Sequence, residues 1–124
     1  MSDNIKTHKD LKVWQESIEL VKLVYKTVND FPMSEKYGLT SQIKRSAVSI
    51  PSNIAEGSAR LSTKEYIHFL YFALGSLSEL DTQIYIAKEL DFVKNIDNIE
   101  TSIVNIRKML IGLIKHIKNK SSNL

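Results

Sequence analysis

Few residues in this sequence have types and spacing suited to chemistry. Glu65 and His68 stand three apart in a helical stretch, the spacing by which carboxylate-bridged di-iron bundles put a ligand pair on one helix. Such a centre needs the same pair on a second helix. Glu100 is followed at that distance by Ile103, and His116 is preceded by Leu113. The lone pair reads instead as a histidine partly exposed or hydrogen-bonded beside a core, and no metal site is expected. Glu79 and Asp81 are two apart, point to different sides of a helix, and so cannot work as an acid/base pair. Gly38, Gly57, Gly75 and Gly112 are too dispersed for a phosphate-cradling loop. Gly75-Ser-Leu-Ser lacks the closing glycine of a nucleophile elbow. With no cysteine, thiolate ligands, thiol nucleophiles and disulfides are excluded. No enzymatic activity and no cofactor are expected.

What the sequence offers instead is charge. The net charge is +3, unevenly spread. Residues 1–60 hold nine basic against seven acidic side chains, residues 61–93 two against five, and residues 94–124 six against two. The basic excess gathers between Lys36 and Lys64, including Lys44, Arg45 and Arg60, and in the tail at Lys115, Lys118 and Lys120. Such groups either attract a polyanion or are ordinary solvated helix faces.

These side chains have to be positioned by helices. At 124 residues, with 43% hydrophobic and 25% charged residues, the chain fits one domain with its own core, residues 1–124. Four segments carry apolar residues at three-and-four spacing. The first holds Trp14, Ile18, Val21, Tyr25 and Val28, opened by Asp10 or by a Thr7–Asp10 capping box. The second holds Leu39, Ile43, Ala47, Ile50 and Ile54, opened by Ser34 and closed near Gly57. The third runs from Tyr66 to Ala87 behind Ser62-Thr-Lys-Glu65, and the fourth from Ile99 to Ile117 behind Asp97. Alternation of period two never persists. The pattern predicts an all-α, antiparallel up-and-down four-helix bundle, with residues 1–9 and 120–124 frayed. No apolar run is long enough to span a bilayer, and the opening MSDNIKTHKD has no apolar stretch of a secretory signal. A cytoplasmic location is expected.

The second helix has an anomaly. Pro51 falls inside its apolar period, where proline removes a donor and meets the carbonyl of Ala47. A kink is expected there, not a linker. Opposite the apolar stripe runs a second line, Arg45, Ser49, Ser52, Glu56 and Arg60, flanked by Asn53, Ala55, Gly57 and Ser58. Its short side chains suit close approach of another backbone, so it reads as a packed interface or, more plainly, as a solvated polar face. Glu56 precedes Arg60 by four, the favourable order for an ion pair. With Arg45 and Asn53 these residues are expected to hold the kinked helix to its neighbours, so that Glu56→Ala costs more stability than Glu35→Ala.

The block Arg45-Ser-Ala-Val-Ser-Ile-Pro-Ser-Asn-Ile-Ala-Glu-Gly-Ser-Ala-Arg60 resembles the bacterial four-helix bundle proteins encoded in intervening sequences of 23S ribosomal RNA genes, also called S23-like. The resemblance continues through Phe69-Leu-Tyr-Phe-Ala-Leu-Gly-Ser-Leu-Ser-Glu-Leu-Asp-Thr-Gln83 and fits Asp10-Leu-Lys-Val-Trp14, covering about residues 10–90. It implies a proline-kinked second helix and a ring of five subunits, with Ser49, Pro51, Asn53, Glu56, Gly57, Gly75 and Glu79 as motif or interface positions. A related branch includes the accessory variability protein of diversity-generating retroelements, which binds nucleic acid and partners a reverse transcriptase. Two functions follow. One is a non-enzymatic oligomer binding RNA or DNA at phosphates through Lys36, Lys44, Arg45, Arg60, Lys64, Lys115, Lys118 and Lys120. The other is a protein-interaction scaffold, such as an accessory subunit of a reverse transcriptase, with no nucleic-acid contact. Because the aromatic residues sit at core spacing, no base-stacking surface is expected, and Lys36, Lys44 and Lys64 are expected to act together on phosphates.

Overall fold

The computed structural model describes residues 7–122; the expectations for residues 1–6 and 123–124 lie outside the described residues. Four helices account for nearly all of it: α1 (Lys12–Val28), α2 (Leu39–Ser58), α3 (Thr63–Glu89) and α4 (Asp97–Ser122). Each helix packs on its neighbours in sequence, and α4 closes the ring against α1; α1 and α3 lie diagonally, as do α2 and α4. This is the expected up-and-down four-helix bundle. Among the described residues no helix is long and apolar enough to cross a membrane.

The core is almost wholly aliphatic, with Ile43, Ile50, Ile54, Leu70, Leu77, Leu80 and Ile84 fully buried at its centre. On α1 the buried stripe is Val13, Ser17, Leu20, Val24 and Val28. Of the five residues expected there only Val28 is buried; the others lie one position along, about 100° round the helix. The cause is Ser17, a polar residue that interrupts the true stripe and is made tolerable inside by donating its hydroxyl to the Trp14 carbonyl at 2.7 Å. Tyr25 is correspondingly exposed. Trp14, Ile18 and Val21 line a shallow apolar groove with Val48, Pro51, Ser52 and Ala55 of α2.

Helix starts differ from expectation where short 3-10 turns consume the capping residues. Thr7 and Asp10 do form a reciprocal cap, but it closes the turn His8–Asp10, and α1 begins after extended Leu11. Ser34 lies in a second turn, Met33–Glu35, and α2 starts at Leu39. There the Glu35 carboxylate accepts the Leu39 N–H at 3.1 Å. Ser62 caps α3 by accepting the Glu65 N–H at 3.2 Å. At its other end α3 closes with Asp91 in the left-handed region (φ 62°), while Phe92 N–H reaches back to the Ala87 carbonyl.

Helix α2 is unbroken through Pro51, which is buried. Directly after the missing N–H, the side chains of the next two residues supply extra donors one turn back: Ser52 to the Val48 carbonyl at 2.9 Å and Asn53 to the Ser49 carbonyl at 2.8 Å. The tightest packing is between α2 and α3. A methyl group built on Gly57 would stand 2.9 Å from Phe69 Cβ and 3.1 Å from the Tyr66 carbonyl oxygen. Along the same seam the Ser49 and Ser76 hydroxyls bond to each other, and the buried Ser46 hydroxyl donates to Gln83 Oε1 at 2.9 Å. Burial in this seam pushes the Tyr66 phenol above its ordinary pKa.

Two consequences are measurable. Gly57→Ala should destabilise by about 1–3 kcal/mol, because backbone and Cβ atoms cannot yield. Gly75→Ala, where nothing lies within 4 Å, should stabilise by up to about 1 kcal/mol. Chemical denaturation of both variants checks the pair; a loss at Gly75 would mean that a neighbouring copy fills that space. Thr40 Oγ1 is buried with no hydrogen-bond partner. Thr40→Val should therefore raise stability by about 1 kcal/mol, read as a higher melting temperature.

Candidate nucleic-acid interface

The antiparallel order puts the start of α1, the end of α2, the start of α3 and the end of α4 at one end of the bundle. That end carries Lys9, Lys12, Arg60, Lys64, Lys115, Lys118 and Lys120 against Asp10, Glu16, Glu56 and Glu65. At the opposite end, the close of α3 and the start of α4 bring Glu89, Asp91, Asp97 and Glu100 against Lys88 and Lys94. The bundle is thus basic at one end and acidic along part of the other.

This arrangement regroups the expected cations. Lys36 and Lys44 belong to the start of α2, and Lys64 lies beyond its end. The 20 residues of α2 span about 30 Å, so these three lysines do not make one patch. Lys64 instead shares a cleft with Lys118 of the tail, between the start of α3 and the end of α4. Thr63, Ile67, His68, Tyr71 and Ser121 complete its lining, and its volume is about 530 Å³. Lys118 Nζ donates to the Tyr71 hydroxyl at 3.1 Å. Lys115 and Lys120 are exposed on the same last turns of α4.

The remaining cations have other neighbours. Lys44 lies over the Tyr25 ring at 4.9 Å, which joins α2 to α1, and Lys36 lies beside Tyr37 at 5.5 Å. Arg45 is exposed. Arg60 bonds the Glu56 carboxylate at 2.8 Å, comes within 3.9 Å of Glu65, and stacks at 4.7 Å on Phe69. With two carboxylates beside it, Arg60 fastens the end of α2 to the start of α3.

The small-residue line of α2 divides three ways. Ser49 and Gly57 are used inside the chain, against α3. Ser52 and Ala55 face the groove beside α1. Arg45 and Glu56 face solvent, and Asn53 bonds within its own helix. The close approach those short side chains permit is thus partly that of α3, not of a second subunit. On α3, Phe72, Gly75, Glu79 and Ile86 are exposed and fall on one side of the helix. His68 is exposed with its ring edge-on to Phe72. Among the described residues, no three His, Asp or Glu side chains gather where a metal ion would fit.

The aromatic residues also depart from expectation. Tyr71, Phe72 and Tyr85 are about half exposed, and Tyr37 is almost fully so. Stacking surface is therefore present, beside a Leu70 that is fully buried.

An all-α four-helix bundle with a proline buried inside its second helix and lysines gathered at one end is the class that this fold defines. Residues 9–112 match the family model described as 23S rRNA-intervening sequence protein, and the chain belongs to that family. A solved structure with the same fold is a protein of unknown function from the S23 ribosomal protein family of Bacteroides thetaiotaomicron VPI-5482. It is 25% identical, with a TM-score of 0.74, over 83% of this chain and 98% of that one. No curated protein matches the chain significantly.

The geometry reverses one expected order of stabilities. Glu35 caps α2 with a partly buried carboxylate, whereas Glu56 takes part in an exposed ion pair. Glu35→Ala should cost about 1 kcal/mol and Glu56→Ala about 0.5 kcal/mol or less, compared by urea denaturation at neutral pH.

Proposed function

We propose that this protein is a non-enzymatic, oligomeric nucleic-acid-binding protein that holds RNA, or RNA and DNA alike, through phosphate contacts. The observation that carries this reading is the gathering of Lys64, Lys115, Lys118 and Lys120 at one end of the bundle, joining two groups far apart in sequence. Lysine acts as a point charge, so these contacts position a strand without reading its bases. Each phosphate neutralised releases counterions, and repetition around a ring of five, the assembly that the family resemblance implies, multiplies a modest charge per chain. Lys36, Lys44 and Arg45 form a second, separate cationic group at the start of α2 that a strand wrapped along the oligomer would meet.

A second reading is favoured by the exposed side of α3. Phe72 and Ile86 flank Gly75 and Glu79 there, two apolar side chains and a carboxylate around a glycine with room for another helix. It suits self-association, and equally a scaffold or accessory role with a protein partner such as a reverse transcriptase.

Gel shifts at two salt concentrations separate the readings. Lys115→Glu with Lys120→Glu should weaken binding to every sequence alike and flatten the salt dependence, leaving the melting temperature unchanged. If the wild-type protein retards no RNA or DNA at low salt, the scaffold reading takes its place. Light scattering at micromolar concentration should give a mass near five protomers, and a 14.2 kDa monomer would overturn the oligomer.

A further inference from the structure

The cleft between the start of α3 and the end of α4 has two chemically different halves. Lys64 and Lys118 contribute ammonium groups, Thr63 and Ser121 hydroxyls, and His68 an imidazole; no carboxylate is among the lining residues. Ile67 and the Tyr71 ring contribute apolar surface. Lys64, Ile67 and Tyr71 follow one another at three and four residues, so one side of α3 presents cation, aliphatic and aromatic in a row. Lys118 and Ser121, three apart on α4, supply the facing wall.

Tyr71 is 48% exposed. Lys118 Nζ stands 3.1 Å from its hydroxyl but 5.4 Å from the ring centroid. The ammonium therefore lies beyond the hydroxyl edge and does not cover the ring face. It anchors the phenol by a hydrogen bond at the hydroxyl and leaves the ring face uncovered. At about 530 Å³ the cleft falls within the size range of small-ligand sites, about 300–1,000 Å³.

We propose that this cleft is a nucleotide subsite: an unpaired base stacks on Tyr71 while its phosphate is held by Lys64 and Lys118. The inference deepens the nucleic-acid reading and rests on it, adding a preference for single strands. In a duplex the bases are paired and stacked on each other, so their faces are closed to a side chain of the cleft. An unpaired strand offers that face to any aromatic ring, which is why stacking sites of this kind tolerate sequence. An acidic peptide would satisfy the two lysines but leave the aromatic half of the cleft unused.

The test measures binding of a labelled oligouridylate and of an RNA duplex by fluorescence anisotropy across a salt series. Tyr71→Ala should weaken single-strand binding about tenfold with an unchanged salt slope and leave duplex binding nearly unaltered, whereas Tyr71→Phe retains wild-type affinity. Lys64→Gln and Lys118→Gln should each lower the single-strand salt slope by about 0.7. Circular dichroism confirms that each variant is folded. Uridine monophosphate that binds with the same dependence on Tyr71, measured by calorimetry, assigns the subsite to free nucleotides as well as to strands. If oligonucleotides bind but none of the three positions alters affinity, while Lys36→Glu with Lys44→Glu does, the cleft is overturned and the broader reading stands. Binding that Tyr71→Ala leaves intact and polyglutamate abolishes overturns the subsite in favour of an acidic protein surface. Absence of any nucleic-acid binding by the wild-type protein overturns both.

Discussion

The close contact of α2 with α3 at Gly57 is the constraint around which the bundle is arranged. With no side chain there, the backbone of α2 lies against Phe69 Cβ and the Tyr66 carbonyl. The seam continues through the Ser49–Ser76 and Ser46–Gln83 hydrogen bonds, which tie the two helices at fixed heights. A hydrophobic core alone would let the helices slide by fractions of a turn, because aliphatic contacts are weakly directional. Paired hydroxyl and amide groups inside it do not tolerate sliding, since a buried polar group without a partner costs about 1–3 kcal/mol. Register between α2 and α3 in turn fixes where Lys64 emerges at the basic end.

The four-residue link from Ser58 to Thr63 belongs to the same device. Arg60 sits there on Phe69 with Glu56 and Glu65 beside it. A planar guanidinium can lie flat on a ring while its several N–H donors pair with carboxylates at its edge. Arginine thus serves the corner of the fold.

The existence, order and approximate length of the four helices were legible because apolar spacing survives in every segment. What the spacing could not supply was rotation and neighbourhood. The α1 stripe was misplaced by one residue because Ser17 looks polar to any pattern rule, yet it is buried once its hydroxyl finds the Trp14 carbonyl. The small residues of α2 share one side on any helical projection, but no projection says whether α3 or another molecule approaches them. Lys64 and Lys118 were assigned to separate groups because their meeting depends on the α3–α4 register, which the turn at Asp91 sets. Exposure of an aromatic ring on α3 was legible: Phe69, Leu70, Tyr71 and Phe72 are consecutive, and four successive helical residues sweep about 300°.

The antiparallel ring also determines what kind of electric field the molecule has. At the basic end two helix N-termini meet two C-termini, so their macrodipoles oppose one another and leave the side-chain ammonium groups as the net source of potential. The bundle is about 40 Å long, judged from the 27 residues of α3, while at 0.1 M salt a charge is screened within about 10 Å. The two ends are therefore electrostatically independent, each blind to the sign of the other. A polyanion drifting past the acidic flank is neither repelled from nor guided to the basic end, and attraction begins only at near contact.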